Sequence, residues 1–370
     1  MSSPIATPSP PPTTTSPPYD RLKAVKQFDE TKAGVKGLID SGVKTIPSIF
    51  IHPPETLSDL APGSGPELEE IPTIDLSAVH SSRAAVVDQI RHAASTVGFF
   101  QVINHGVSLE LMQSVIGAIK AFHEQPVEVR AQVYRREMGT GVSYISNVDL
   151  FTSKAASWRD TLQLKMGPVP ADEKEIPEVC RKEVMEWDRE VVRVGDILLG
   201  LLSEGLGLGA ERLPELGLSQ GRVMVGHYYP FCPQPNLTVG LNSHADPGAL
   251  TVLLQDHIGG LQVRSKHGWI DVKPVDGALV INIGDLLQMV SNEEYKSADH
   301  RVLANPSNEP RVSIAVFLNP GNREKLFGPL PELTSAEKPA LYRDFTLNEF
   351  MTRYFKKEFN AKSLTNFFRK

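Results

Sequence analysis

The chain has 370 residues, 41% of them hydrophobic, enough for one large globular unit with a sizeable core. Its 38 basic and 44 acidic residues are mixed along the chain and leave a formal charge of -6, so there is no basic stripe for nucleic acid and small-molecule chemistry is expected. Two distant cysteines, Cys180 and Cys232, argue against a disulfide framework, and no run nears the ~18 apolar residues of a membrane span.

Residues 1 to 18 are Pro, Ser and Thr with little to bury, and a disordered tail is expected there. No basic segment followed by an apolar one occurs in this stretch, so no export signal is read and the cytoplasm is the expected location. A second Pro/Gly/Ser stretch, Leu60 to Glu67, closes a short helical or extended segment over 19–69. Val86, Ile90, Ala94 and Val97 fall at helical spacing, and Leu111, Met112, Val115, Ile116 and Ile119 predict a second helix with Ser108 as its N-cap. Between them, the run from Gly98 to Gly106 reads as a buried strand ended by a turn. Val184, Trp187, Val191, Val194, Leu198, Leu201 and Leu202 predict a long helix that stops at the glycine-rich Gly205 to Gly209. No dinucleotide loop is read from those glycines, because they follow a helix rather than a strand.

From Arg222 to Asn319 the pattern changes to short β-branched runs: 223–225, 250–254, 261–264, 269–272, 278–283, 300–303 and 312–318. Gly, Pro, Asp and Asn fill the gaps, as in an antiparallel sandwich or barrel. Thr346 and Glu349 are spaced as a capping box that opens a C-terminal helix through Phe350, Tyr354 and Phe355. The expected divisions are a tail (1–18), an N-terminal segment (19–69), an N-terminal domain (70–210), a β-rich core (211–325) and a C-terminal helical segment (326–370).

The sharpest chemical signal is His244-Ala-Asp246, whose alternate residues can turn an imidazole and a carboxylate toward one ion. By itself this pair is weak, since a chain with ten histidines would show about one such spacing by chance. His300 lies in a strand-like run of the same β-rich region. Two histidines and one carboxylate leave coordination positions open, as Fe(II) needs when it must also bind a co-substrate and O₂. A closed zinc site would call for four protein ligands, usually including thiolates. Arg311 and Ser313 alternate on a predicted strand and can both meet a carboxylate, arginine in a bidentate grip. Other candidates have simpler readings. His105 is expected to be a structural hydrogen-bonder, His257 and His267 to be exposed, Asp285 to form a turn or helix cap, and Cys232 to pack beside Pro233.

In this order and spacing His244, Asp246, His300, Arg311 and Ser313 resemble the plant 2-oxoglutarate and Fe(II)-dependent dioxygenases. Further segments are similar to that superfamily: Ile71 to Leu76, Gly98 to Gly106, Tyr228 to Pro233, Gly259 to Val263 and Asn282 to Asp285. The leader from Phe28 to Pro47 resembles the aminocyclopropane-carboxylate oxidase homologue group, which includes hydroxylases of specialised metabolites. The resemblance implies a mostly β protein with surrounding helices, its core a distorted double-stranded β-helix of the jelly-roll, cupin-like kind. It implies Fe(II) on His244, Asp246 and His300, 2-oxoglutarate held by Arg311, Ser313 and Tyr229, O₂ as oxidant and ascorbate in support. His227 stands where many relatives carry asparagine. Substrate contacts carried over from relatives are Val142, Tyr144 and Phe317, and they suggest a small, largely hydrophobic metabolite such as a phenolic, alkaloid, terpenoid or benzoxazinoid. Hydroxylation with release of succinate and CO₂ by a monomer is the expected activity. The alternatives are O-demethylation by the same chemistry and, ranked lower, ethylene formation from aminocyclopropane carboxylate or metabolite binding without catalysis.

Overall fold

Period-two runs of β-branched and apolar residues generate most of the architecture. In chain order the strands are β1 (Thr73–Asp75), β2 (Phe99–Ile103), β3 (Val142–Ile145), β4 (Asp160–Lys165), β5 (Gly221–Tyr229), β6 (Val239–His244), β7 (Leu250–Gln255), β8 (Leu261–Ser265), β9 (Gly268–Asp271), β10 (Leu279–Ile283), β11 (His300–Leu303), β12 (Arg311–Asn319), β13 (Leu326–Phe327) and β14 (Phe345–Thr346). This computed structural model describes residues 19–60, 70–137, 141–355 and 364–370. The expected tail over 1–18 and nearly all of the 60–67 stretch lie outside the described residues.

One sheet of eight strands runs β1-β2-β10-β7-β12-β5-β4-β3, and a second of four runs β6-β11-β8-β9. From β5 onward the chain passes back and forth between them, with β5, β7, β10 and β12 in the large sheet and β6, β8, β9 and β11 in the small one. That is a double-stranded β-helix, distorted by the extra strands on the large sheet and not closed into a barrel.

Strand β12 lies at the centre of the large sheet, paired with β5 along Arg311–Asn319 and with β7 along 313–318. Val312, Ile314, Val316 and Leu318 share the outer face with Met224, Val252 and Ile281, and that face packs on the helices. Arg311, Ser313, Ala315 and Phe317 take the opposite, inner face by strand alternation. Helix Glu178–Gly205 closes the outer layer with Val184, Trp187, Val191, Val194 and Leu198, all fully buried. Each such side chain contributes roughly 1.5–3 kcal/mol of burial. Helix Leu109–His123 lies beside it, and the Ser108 side chain caps it by accepting from Leu111 N at 3.2 Å.

The structure departs from the sequence reading in detail. The strand expected at 223–225 extends to Tyr229, because the polar and aromatic residues after Val225 still alternate between two buried faces. The C-terminal capping box is only half formed. Glu349 N donates to Thr346 Oγ1 at 3.0 Å, but the Glu349 carboxylate is taken by Arg343 at 2.6 Å. The N-terminal segment folds as helices Arg21–Glu30 and Gly34–Asp40 around Val25, Phe28, Phe50 and Trp158. Asp160 at the start of β4 tethers the second of them, accepting from Val35 N and Lys36 N at 2.8 Å each. Among the described residues no helix is long and apolar enough to cross a membrane.

Candidate metal centre

β6 ends at His244 and β11 begins at His300, and the antiparallel register sets the two directly opposite one another. Their rings lie 4.2 Å apart. Asp246 follows two residues past β6, where the chain leaves the small sheet for the large one. Its Oδ1 is 3.5 Å from His244 Nε2 and 3.6 Å from His300 Nε2. One ligand atom from each of the three falls within 4.8 Å of the others, an arrangement found nowhere else among the described residues.

The surrounding hydrogen bonds decide which atoms face inward. His244 Nδ1 lies 2.9 Å from Asn242 O and His300 Nδ1 lies 3.2 Å from Ala298 O. A carbonyl can only accept, so each Nδ1 carries a proton directed outward, and each Nε2 is the ring nitrogen turned toward Asp246. Burial, reinforced by the nearby His244, pushes His300 down to about 4, which keeps it neutral near pH 7. For Asp246 burial alone would raise the carboxyl, but His300, His244 and the Thr251 hydroxyl outweigh it and hold the group well below the usual carboxylate range. Asp246 Oδ2 is occupied, accepting from Thr251 Oγ1 at 2.6 Å and Asn282 Nδ2 at 2.8 Å, and Oδ1 is left to face the imidazoles. Two imidazole nitrogens and one carboxylate oxygen converge there. A cation satisfies that set, and two nitrogens with one oxygen suit a divalent transition metal.

The loop carrying Asp246 is pinned by the start of helix Asp285–Val290. Asp285 N donates to Asp246 O at 2.8 Å and Leu286 N to Gly248 O at 3.1 Å. A Cβ on Gly284 would stand 2.2 Å from Gly248 O, so only glycine fits at this approach. Asp285 therefore opens a helix, with Gly284 in the cap position.

Farther along the inner face of the large sheet, Arg311 is 1% exposed. Its Nη1 donates to Ser313 Oγ at 3.0 Å and its Nη2 to Gln255 Oε1 at 2.9 Å, while the guanidinium lies 4.9 Å over the Tyr229 ring. Nε has no partner, and no acidic side chain pairs with it among the described residues. A buried cation served only by neutral groups is built to receive an anion. Its fork and the Ser313 hydroxyl together fit a carboxylate. His227 pairs across the sheet with Ser313, its Nδ1 lies 3.0 Å from Thr161 Oγ1, and burial together with Arg159 and Arg311 keeps it neutral.

The candidate substrate residues separate. Phe317 is on the inner face, directly across from Thr251, the residue that grips Asp246. Val142 and Tyr144 are on the outer face, fully buried in the helical core. The Tyr144 hydroxyl engages Arg130 and Ala33 O. The alternation of β3 instead turns Ser143 and Ile145 inward, across from Gln163 and Thr161.

His105 is satisfied, with Nε2 3.0 Å from Gly277 O and Nδ1 accepting from Val107 N. Cys232 is buried, and burial pushes its thiol up to about 11. Sequence reasoning did not assign Thr251, Asn282 or Gln255, although Asn282 is the lone polar residue of β10 and Thr251 and Gln255 are the two polar residues of an otherwise apolar β7, and that was the available signal. A polar surface cleft lined by Arg91, His92, Tyr295 and Lys338 lies apart from all of these residues.

Residues 220–320 match the model of the 2OG-Fe(II) oxygenase superfamily, and residues 71–185 match that of the N-terminal region of non-haem dioxygenases in morphine synthesis. The chain is 46% identical over 357 residues to 1-aminocyclopropane-1-carboxylate oxidase homolog 5 of Arabidopsis thaliana, covering 94% of this chain and 89% of that one. It is 42% identical over 360 residues to deacetoxyvindoline 4-hydroxylase of Catharanthus roseus, covering 95% and 90% respectively. Among solved structures it is similar to JOX2 in complex with 2OG, Fe and JA, with a TM-score of 0.81 and 32% identity over 91% of this chain and 97% of that one.

Proposed function

The chain belongs to the 2OG-Fe(II) oxygenase superfamily and is a dioxygenase that uses Fe(II), 2-oxoglutarate and O₂, and from that premise we propose that it hydroxylates a small, largely hydrophobic plant specialised metabolite. In this reading His244 Nε2, Asp246 Oδ1 and His300 Nε2 hold the iron. Arg311 and Ser313, with Tyr229 stacked beside them, hold the far carboxylate of 2-oxoglutarate. The observation that carries it is the convergence of two imidazole nitrogens and a carboxylate oxygen, together with a buried arginine on the inner face of the large sheet that has no protein anion.

When bound, the iron and 2-oxoglutarate would activate O₂, one of whose oxygen atoms would enter succinate as 2-oxoglutarate loses CO₂ while the other would go to a substrate carbon. The protein's own residues bind, orient and exclude water. Thr251 and Asn282 fix the Asp246 carboxylate, and the carbonyls of Asn242 and Ala298 fix both ring tautomers. Val225, Ala315 and Phe317 give the inner face between the strands an apolar wall, which favours a hydrophobic substrate and limits water near the reacting carbon. The plant relatives, one of them named as a hydroxylase, support this assignment. A monomer acting in the cytoplasm completes the proposal.

The test is succinate formation by Fe(II)-loaded protein with 2-oxoglutarate, screened across plant phenolics, alkaloids and terpenoids with mass detection of products. A substrate-dependent gain of one oxygen, lost in His244→Ala and Asp246→Ala, is the expected result. Formaldehyde release would reassign the outcome to O-demethylation, and metabolite binding with no oxygen consumption would refute catalysis.

A further inference from the structure

Arg159 stands one residue before β4. Asp160 turns outward to hold helix Gly34–Asp40, and Thr161 turns inward to His227, so alternation returns Arg159 to the inner face. Its neighbour Trp158 is tied through its backbone N–H to Val239 O of β6, which places Arg159 where the chain crosses between the two sheets. Its charge is felt at His227 on β5 and at Tyr354 on the C-terminal helix Leu347–Phe355. Tyr354 in turn lies within electrostatic reach of Asp246.

The side chain is 9% exposed, Nε has no hydrogen-bond partner, and the guanidinium makes no hydrogen bond or ion pair among the described residues. The other buried arginines contrast with it. Arg130 is held by Gln125 O and Ala33 O, Arg301 by Asp59 and Gln262, and Arg311 by Ser313 and Gln255. A mostly buried guanidinium whose Nε is enclosed without a partner, and whose outer nitrogens meet no protein anion, is open to a ligand that brings the counter-charge.

On the reading above, 2-oxoglutarate does not need Arg159, because its 2-oxo acid end belongs to the iron and its far carboxylate to Arg311 and Ser313. We propose that Arg159 anchors the substrate, and that the substrate is an apolar metabolite carrying a carboxylate that pairs with this guanidinium while its hydrocarbon body lies along Val225, Ala315 and Phe317. A single guanidinium balances one negative charge, which favours a carboxylate over a phosphate dianion, and its planar fork matches carboxylate geometry.

This inference rests on the dioxygenase reading, and the experiment separates the two. The probes are trans-cinnamate, indole-3-acetate and dodecanoate, each with its methyl ester, titrated calorimetrically under anaerobic conditions into protein loaded with Fe(II) and 2-oxoglutarate. At least one acid is expected to bind, with its ester weaker by tenfold or more. Arg159→Gln should weaken the acid by about tenfold to a hundredfold and leave the ester alone, as loss of a charge-assisted bond requires. Arg159→Lys should recover part of the loss, and 2-oxoglutarate should titrate both variants with wild-type affinity. Because the unliganded guanidinium has no partner, Arg159→Gln should also melt at or above the wild-type temperature, which a structural arginine would not allow. Binding of no acid, acids no tighter than esters, weakened 2-oxoglutarate binding, or a lowered melting temperature would each overturn the proposal. Failure of wild-type protein to bind 2-oxoglutarate in the presence of Fe(II) would instead defeat the reading beneath it.

Discussion

Replacing Thr251 by Val keeps the shape of the side chain and removes one of the two donors on Asp246 Oδ2, at 2.6 Å; Asn282→Leu removes the other, at 2.8 Å. A hydrogen bond to a charged group contributes about 1.5–3 kcal/mol. Part of that loss appears as freedom for the carboxylate to rotate Oδ1 away from His244 and His300. Outer partners of this kind typically change metal affinity by roughly 10- to 100-fold, or about 1.4–2.8 kcal/mol. Each single variant should therefore bind Mn(II), titrated calorimetrically as an air-stable substitute for Fe(II), about tenfold or more weaker than the parent. Since both donors serve one oxygen, the double variant should fall short of or exceed the sum by at least about 0.5 kcal/mol, whereas independent sites would add. Thr251→Ser, which retains the hydroxyl, is the control. Single variants that bind the metal within twofold of wild type would show that Asp246 is oriented by its backbone alone and refute the reasoning.

Arg311→Met should raise the KM for 2-oxoglutarate by about tenfold to a hundredfold, since it removes a bidentate charged grip, and initial-rate kinetics with 2-oxoglutarate as the varied substrate would test this. Tyr144→Phe should cost about 1–3 kcal/mol in urea unfolding, by leaving the buried Arg130 and Ala33 partners short of a bond, with little change in substrate KM. Phe317→Ala should do the reverse, raising KM for an identified substrate more than it lowers stability, and equal effects of the two on KM would contradict the face assignment. His123 is fully buried beside Tyr228, and burial pushes it down to about 3 from an ordinary 6.5. The unfolded chain then binds a proton that the folded one refuses, so the stability it permits is complete above about pH 6.5 and is lost as pH falls toward 3. Relative to wild type, His123→Phe should show about 1.4 kcal/mol less loss between roughly pH 7.5 and 5.5 in urea melts, one unit of titration below the free value.

Much of the fold was legible because its helices and strands carry clear periods. Val184, Trp187, Val191, Val194 and Leu198 mark one stripe of helix Glu178–Gly205, and that stripe is the buried one. Strand β6 escaped because Val239 to His244 reads Val-Gly-Leu-Asn-Ser-His, where glycine and two polar residues hide the alternation of a strand whose end must carry a metal-binding side chain. The length of β5 escaped for a similar reason, since Gly226 and His227 interrupt the apolar run where Gly226 meets helix Leu109–His123 and His227 faces the site. Functional demands replace the residues by which β6 and the end of β5 would be recognised, whereas β11 and β12 keep enough β-branched and apolar residues around His300 and Ser313 to be read.

Within the site, the two histidines and the aspartate were legible from their order together with Arg311 and Ser313 and the flanking segments, but the atoms they present were not. Only the fold reveals that Asn242 O and Ala298 O fix both imidazole tautomers and that two side chains from other strands, Thr251 and Asn282, take the second oxygen of Asp246. Val142 and Tyr144 show the opposite lesson. A segment near the substrate region carries residues toward both faces, and one step of strand phase decides between core and pocket. The same one-residue logic separates Asp160, which turns outward to hold a helix, from Arg159, which turns inward with no partner. The sequence places these two oppositely charged residues side by side, and strand alternation keeps them apart. A chain that places a guanidinium beside a carboxylate yet points them to opposite faces leaves the cation available for an anion that arrives from outside.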